Sequence, residues 1–264
     1  MPIRRLGRLV ILSLVAVTSG VTTPPLGRSA SSAEAQAPAA EVTKGRELFS
    51  STSLSGDGRW SCASCHPSNG HTDNKTYVGV EVVPDGDTRG RSTPTLWGVG
   101  IRQAISWAGT APSLQANIRG IIVNRMKRAE PSPETLAALV AYVTSLGYAP
   151  NPYLNADGTP SEAAPAAAKR GYAIFIGKGG CSTCHMPPSY DKKEVEDVNS
   201  GGKFKVPSLR VVSLTAPYFH DGRFATLEQV VPIMWASTLQ KTGKTEPLSV
   251  QDIRDLVEFL RPAV

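Results

Sequence analysis

The sequence predicts an all-α protein made of two similar halves in tandem, with long loops inside each half. Three observations predict this class. The pentapeptide Cys-x-x-Cys-His occurs twice, at residues 62–66 and 181–185. Each copy follows a short apolar segment and precedes a final segment whose apolar residues recur at three- and four-residue spacings, as on one face of a helix. The loops after each copy show no strong strand pattern.

The N-terminal residues have the three parts of a secretory signal. Arginines at positions 4, 5 and 8 precede a short apolar run, and small residues follow it. We therefore expect a cleaved signal peptide and a periplasmic protein. The alternative is an uncleaved membrane anchor, but the run is too short to span a bilayer comfortably, so we expect no stable membrane span. Residues 1–37 are assigned to this signal and the start of a disordered segment that extends to residue 41.

The net charge of the chain indicates which class of partner it binds. Removing residues 1–37 lowers the formal net charge from +6 to +3. The sequence has neither a stripe of Lys and Arg nor an aromatic platform, the two features that would indicate nucleic-acid binding. A soluble protein that docks an acidic partner fits this mild positive charge better.

The two pentapeptides contain all four cysteines of the chain. A Cys-x-x-Cys-His run is typical of c-type haem attachment, because two thiols on one helical turn can add to the two vinyl groups of a haem while the next His ligates the iron. Zinc knuckles and a redox dithiol are the alternatives, but the adjacent His and the export signal favour two covalently bound haem c groups. Cys62 and Cys65 are expected to hold haem 1, with His66 as its proximal ligand. Cys181 and Cys184 are expected to hold haem 2, with His185 as its proximal ligand.

An internal repeat extends beyond the two pentapeptides. Each half reads as helix, haem motif, long loop, turn, helix and final amphipathic helix. Two of the four matching pairs, PTL with PSL and WAGTAPSL with HDGRFATL, are each separated by 113 residues. The pairs are GRELF and GYAIF (45–49 and 171–175), PTL and PSL (94–96 and 207–209), WAGTAPSL and HDGRFATL (107–114 and 220–227), and LVAYV and LVEFL (139–143 and 256–260).

The two final helices have recognisable ends. Ser132 and Ser249 are the expected N-caps, and Pro262 is the expected stop of the second helix. Between the halves, the Pro-, Ala- and Gly-rich stretch is a linker by composition. The predicted organisation is a first haem domain at 38–149, a linker at 150–165 and a second haem domain at 166–264.

Residues 42–264 resemble the bacterial di-haem cytochrome c peroxidases and their relatives that mature methylamine dehydrogenase. The most specific stretch is KVPSLRVVSLTAPYFHDGRFATLEQVVPIM, residues 205–234. RSTPTLWGV, residues 91–99, resembles the matching part of the first domain. The resemblance implies two cytochrome c-like haem domains in tandem. It also implies electron exchange with a small periplasmic cytochrome c or copper protein, and hydrogen peroxide as the substrate of the enzymes; family members are often homodimers.

The resemblance assigns further residues. Met234 falls where the family has the sixth ligand of its high-potential haem, although a core position is the alternative. Trp107 falls where the family has a Trp between the two haems, although an ordinary buried Trp is the alternative. A Ca²⁺ ion between the domains would take carbonyl oxygens from residues 215–217. Ser92 stands where the family has an Asn ligand, which leaves calcium open.

The match fails at haem 1. The peroxidases have a removable distal His about sixteen residues after the motif, whereas VGVEVVPDG, residues 78–86, contains none. His71 is interpreted as a solvated loop residue, and His220 is expected to hydrogen-bond locally. Splitting peroxide needs a distal group that moves a proton. The family's Gln and Glu correspond here to Asn117 and Lys127, so the expected base is lost.

Two interpretations of haem 1 follow. Met126 is either its sixth ligand, which would close the iron, or a helix core residue. In the second case the iron would be open, with Glu130 or a water in place of the base. The functional hypotheses are an electron-transfer protein, a di-haem peroxidase with Trp107 and Asn117 in its catalytic machinery, and an oxidase that modifies a partner protein. The third is the weakest, because those relatives typically have Tyr at the position of Met234.

Overall fold

The predicted helix-rich fold is confirmed by the computed structural model, which describes residues 38–77, 90–102, 104–243 and 246–261. The signal segment, residues 78–86 and Pro262 lie outside the described residues. Within these residues, no helix is both long enough and apolar enough to cross a membrane. The helices are α1 (Ala39–Ser50), α2 (Cys62–Cys65), α3 (Pro67–Gly70), α4 (Leu114–Gly120), α5 (Pro133–Thr144), α6 (Ala166–Ile176), α7 (Leu227–Thr242) and α8 (Val250–Leu260).

Helix pairs α1–α5 and α6–α8 cross at glycines. A Cβ atom on Gly45 would lie 1.9 Å from the Ala138 carbonyl oxygen, and one on Gly171 would lie 1.9 Å from that of Asp255. Only a residue without a side chain permits such close backbone contact. The GRELF and GYAIF repeats therefore encode the same helix crossing twice.

Buried side chains form two separate clusters inside one compact unit. The first draws its members from residues 42–146, and Phe49 packs edge-on against Tyr142 within it. The second draws its members from residues 154–260, and Phe175 packs against Phe259. Each half thus buries its own apolar surface.

The turn repeated at the 113-residue offset has the same backbone in both halves. Ser106 and Phe219 have φ of 67° and 70°, and Gly109 and Gly222 have φ of 67° and 68°. Left-handed φ values are uncommon for residues other than glycine. Their recurrence at equivalent positions indicates that the two turns are copies of one structure.

Three features differ from the sequence-based predictions. Short antiparallel pairs join β1 (Thr76–Tyr77) to β2 (Arg91–Ser92) and β3 (Val195–Asp197) to β4 (Lys203–Lys205). The end of the segment predicted to be disordered, residues 39–41, belongs to α1. The stretch interpreted as a linker packs on the second half, where the partly buried Leu154 lies against its core and the Tyr190 hydroxyl donates to the Gly158 carbonyl oxygen. Composition alone missed these contacts because they depend on distant partners.

Candidate haem-binding cavities

The first Cys-x-x-Cys-His motif borders a cavity of about 340 Å³, here called cavity 1. Cys62 and Cys65 are the first and last residues of α2, which begins with a capping box between Ser61 and Ser64. Since residues three apart lie on the same helix face, both thiols line the same wall. Most of the lining is apolar and includes Phe49, Val99, Ile122, Leu139 and Val143.

The second motif borders a cavity of about 170 Å³, here called cavity 2. Cys181 opens a 3-10 turn, and Cys184 follows directly at its C-cap. The lining of cavity 2 is also mainly apolar and includes Phe175, Leu209, Val231 and Leu256. An apolar cavity beside each motif fits a porphyrin, whose faces are themselves apolar.

Both motif histidines are held in the same way. The Nδ1 of His66 donates to the carbonyl oxygen of His71 at 3.3 Å, and the Nδ1 of His185 donates to that of Tyr190 at 3.0 Å. Burial lowers the pKa of His66 to about 4 and also lowers the pKa of His185. Both rings are therefore neutral at pH 7, with Nε2 left to ligate a metal.

Cys62 and Cys184, one from each motif, do not have the properties of reactive thiolates. Burial raises the pKa of Cys62 to about 11 and raises the pKa of Cys184. Redox dithiols and thiolate metal ligands depend on a lowered pKa. Across the described ranges, no cluster of three or more His, Cys, Asp and Glu side chains is placed to hold a metal ion. This supports haem over the zinc and dithiol alternatives.

Each cavity also receives one methionine. Met126 is 9% exposed, lines cavity 1 and follows a π-helical turn, Ile121–Arg125, at the end of α4. Met234 lies in α7 and lines cavity 2. π-helical turns occur often at functional sites. The structure thus brings each methionine to the cavity of its predicted haem; the ligand assignments themselves stay predictions.

Trp107 lines both cavities. Its indole Nε1 donates to the Ser92 carbonyl oxygen at 2.8 Å. Its own carbonyl oxygen accepts from the Lys205 backbone N–H at 2.9 Å, which ties this turn to β4. The predicted position between two haems therefore corresponds to a fixed indole between the two cavities.

Sequence reasoning missed the cationic lining of cavity 1. Arg91, Arg102, Arg125 and Lys205 all line it. The Arg102 Nε is buried without a hydrogen-bond partner in the part of the chain that the structure describes. A haem has two carboxylate propionates, so these cations fit the group. Basic residues near the two Pro-x-Leu repeats were the signal that could have identified them.

The acid–base equipment of cavity 1 is incomplete. Asn117 lines the cavity, as predicted for the distal side. Lys127 is exposed, and Glu130 is an exposed partner of Arg119, which donates to it through two nitrogens. Glu130 is therefore not among the described residues that line cavity 1, and a water in place of the base is the part of that alternative that stays open. Of the described residues that line cavity 1, none is Asp or Glu.

His71 differs from expectation, whereas the expected local hydrogen bond of His220 stays a prediction. His71 is half-buried rather than solvated; its ring stacks on Trp97 with centroids 4.2 Å apart and its Nε2 donates to the Leu214 carbonyl oxygen at 3.1 Å. His220 is 2% exposed and stacks on Phe204 at 3.7 Å. Its carbonyl oxygen accepts from the distant Ser92 N–H. A long-range partner explains the difference at His71.

Comparison with known proteins gives consistent matches. Residues 39–151 match the family model described as di-haem cytochrome c peroxidase. The chain is 30% identical to the methylamine utilization protein MauG of Methylorubrum extorquens, over 83% of this chain and 77% of that protein. It is 29% identical to the cytochrome c551 peroxidase of Nitrosomonas europaea, over 82% and 78%. The diheme peroxidase BthA of Burkholderia thailandensis has a similar fold, with a TM-score of 0.64, 18% identity and coverage of 84% and 85%.

Proposed function

Because the chain belongs to the di-haem cytochrome c peroxidase family, we propose that it is a periplasmic di-haem c-type cytochrome that transfers electrons. One observation carries the proposal: each of two apolar cavities contains one Cys-x-x-Cys-His motif and one methionine, and Trp107 lines both. Haem bound in each cavity would supply one-electron redox chemistry.

The chain's own residues have distinct roles in this proposal. The thiols of Cys62, Cys65, Cys181 and Cys184 would form thioethers, which keep the group attached. His66 and His185 would ligate iron from one side, each oriented by its Nδ1 hydrogen bond. Met126 and Met234 would ligate from the other side. A thioether ligand raises the reduction potential of a haem, so both sites would accept electrons readily.

The proposed organisation keeps a first haem domain at 38–149 and a second at 166–264. The connecting residues 150–165 would act as a fixed spacer rather than a free linker, since Leu154 packs against the second core. The two separate clusters of buried side chains support this division. Calcium is left out, because the Ser92 hydroxyl donates to the Pro217 carbonyl oxygen at 3.0 Å, an oxygen that the resemblance gives to the ion.

The proposed partners are a small cytochrome c or a copper protein in the periplasm. The secretory signal predicted at the N-terminus supports this location, since haem c is attached outside the cytoplasm. The mild positive charge of the mature chain supports an acidic partner surface.

A second candidate function is peroxide reduction at haem 1, in which hydrogen peroxide takes up two electrons and two protons to give two waters. Asn117 in the wall of cavity 1 supports it, because an amide there can hydrogen-bond a bound oxygen ligand. This function requires that Met126 leave the iron open. The lack of a carboxylate base among the described lining residues favours electron transfer instead.

The deciding experiment is EPR and optical spectroscopy of the mature protein, fully oxidised and then half-reduced with ascorbate. Electron transfer alone predicts two low-spin haems in both states, with a Met-to-iron charge-transfer band that accounts for two irons. A high-spin signal from haem 1 in the half-reduced form would overturn this assignment and support the peroxidase.

A further inference from the structure

The two cavities share a second residue besides Trp107. Lys205 also lines both cavities, and its Nζ lies 5.6 Å from the centroid of the Trp107 ring. The lysine is 7% exposed. A cation this close to an indole face is attracted by the electron-rich ring, more strongly where water is excluded. The structure therefore places a buried lysine amino group against the indole that lines both cavities.

This contact is fixed by the backbone rather than by a flexible side chain alone. The Lys205 N–H donates to the Trp107 carbonyl oxygen at 2.9 Å, so β4 carries the lysine along with the turn. The indole is anchored at its other end by the hydrogen bond from Nε1 to Ser92. The ring and the cation thus have little freedom to separate.

The indole has no base at its N–H group. Nε1 donates to the Ser92 backbone carbonyl, which is a hydrogen-bond acceptor but too weak a base to take up a proton. Removing one electron from Trp107 would leave a radical cation that keeps this proton. Its positive charge would then face the Lys205 ammonium, and two like charges repel strongly in a dry site.

We propose that Lys205 keeps Trp107 in its neutral form, so that the indole is a medium through which electrons tunnel and not a site that is oxidised. This inference rests on the proposed electron-transfer function, because only then do electrons pass between the two cavities. Lys205 is a positioning residue in this sense, since it acts through Trp107. Confining oxidising equivalents in this way would favour electron transfer over oxidation of a partner protein.

The test measures the indole radical directly in the haem-loaded protein. A ruthenium(II) polypyridyl complex is excited by a flash and quenched to ruthenium(III) by a cobalt(III) ammine. Ruthenium(III) then takes one electron from the protein and returns to ruthenium(II). Transient absorption records the tryptophan radical, and the Trp107→Phe variant identifies the part of the signal due to Trp107.

The wild-type protein is expected to give the same radical signal as Trp107→Phe. Lys205→Met should increase the Trp107 radical at least about ten-fold, since loss of the cation removes an interaction worth more than one factor of ten. Lys205→Arg, which retains the charge, should behave as the wild type. A Trp107 radical in the wild type, or equal yields in Lys205→Met and wild type, would overturn the proposal.

A matched control separates the local contact from a general charge effect. Lys241 lines cavity 2 and pairs with Glu196, whereas the cation over the Trp107 ring is Lys205. Lys241→Met is expected to leave the radical yield at the wild-type level, and an increase equal to that of Lys205→Met would overturn the inference. If Lys205→Met fails to fold, the wild-type comparison with Trp107→Phe still decides. Haem content, measured separately on the wild type, tests the proposed function independently.

Discussion

The glycines at the two helix crossings give a sharp test of whether the halves are separate domains. Gly45→Ala would put a Cβ atom 1.9 Å from the Ala138 carbonyl oxygen, and Gly171→Ala would do the same at Asp255. Normal contact lies near 3.5 Å, so each helix pair must separate by roughly 1.5 Å. Overpacking of this kind costs about 1–3 kcal/mol and sometimes more. The higher helix propensity of Ala than of Gly offsets at most about 1 kcal/mol of this cost.

We expect each variant to lose about 1–2 kcal/mol of unfolding free energy, which is the overpacking cost less the propensity gain, and the loss to be confined to its own half. The assay is guanidinium unfolding of the haem-loaded protein, combined with limited proteolysis and mass spectrometry to locate the opened half. Gly45→Ala should expose residues 38–149 to cleavage first, and Gly171→Ala should expose residues 166–264.

Gly147→Ala is the matched control. No heavy atom lies within 4 Å of a Cβ built there, and its φ is not in the left-handed region. This change is expected to be neutral or to stabilise by about 0.4–1 kcal/mol. The reasoning is refuted if Gly45→Ala and Gly171→Ala are as stable as Gly147→Ala. Simultaneous opening of both halves in either variant would refute the division into two domains.

Three further predictions concern the sites and the pH response. Met126→Leu should cost less than about 1.5 kcal/mol of stability as a volume-conserving change, yet produce a high-spin haem in EPR, while the same change at the exposed Met186 should not. Hydrogen bonds from Arg170 lower the pKa of Asp255 below 3.8. The ion pair therefore stabilises the fold above pH 3.8, and this stabilisation is lost as the pH falls through the lowered pKa. Asp255→Asn should lower the melting temperature at pH 7 and make the melting temperature decline less steeply in acid. Chelation with EGTA should leave the melting temperature unchanged, because Ser92 donates to a carbonyl in place of a calcium ligand.

Each of these predictions has a contradicting result. A Met126→Leu protein that keeps two low-spin haems would remove Met126 from the ligand set. If the melting temperature of Asp255→Asn equals that of the wild type from pH 2 to pH 7, the Arg170–Asp255 ion pair does not contribute to stability. A clear fall in melting temperature with EGTA, reversed by added Ca²⁺, would show that the protein binds calcium.

Much of the helical framework could be predicted because it is encoded locally. Ser132 and Ser249 cap α5 and α8, as the sequence indicated. Side-chain oxygens at an N-cap bond to backbone groups only two or three residues away, so a short window of sequence is enough. The repeated Cys-x-x-Cys-His motif is equally local, and it identified both cavities.

The parts that could not be predicted depend on contacts across the chain. His71 reads as a loop residue in sequence, yet its ring reaches Leu214, 143 positions away. Lys205 has no local pattern that indicates a contact with Trp107. Composition likewise marked residues 150–165 as a linker, although Leu154 packs against the second core. In each case the partner is distant in sequence, and single-sequence periodicity has no information about it.

The repeated turn gives the molecule a polarity. Trp107 and His220 occupy equivalent positions in the two copies, 113 residues apart, yet the Trp lines both cavities and the His lines only cavity 2. Two identical modules related by exact symmetry would be interchangeable, and traffic between them would have no preferred sense. One aromatic side chain replaced by another at a single equivalent position breaks that equivalence. The two cavities are thereby distinguishable without any change in the course of the backbone.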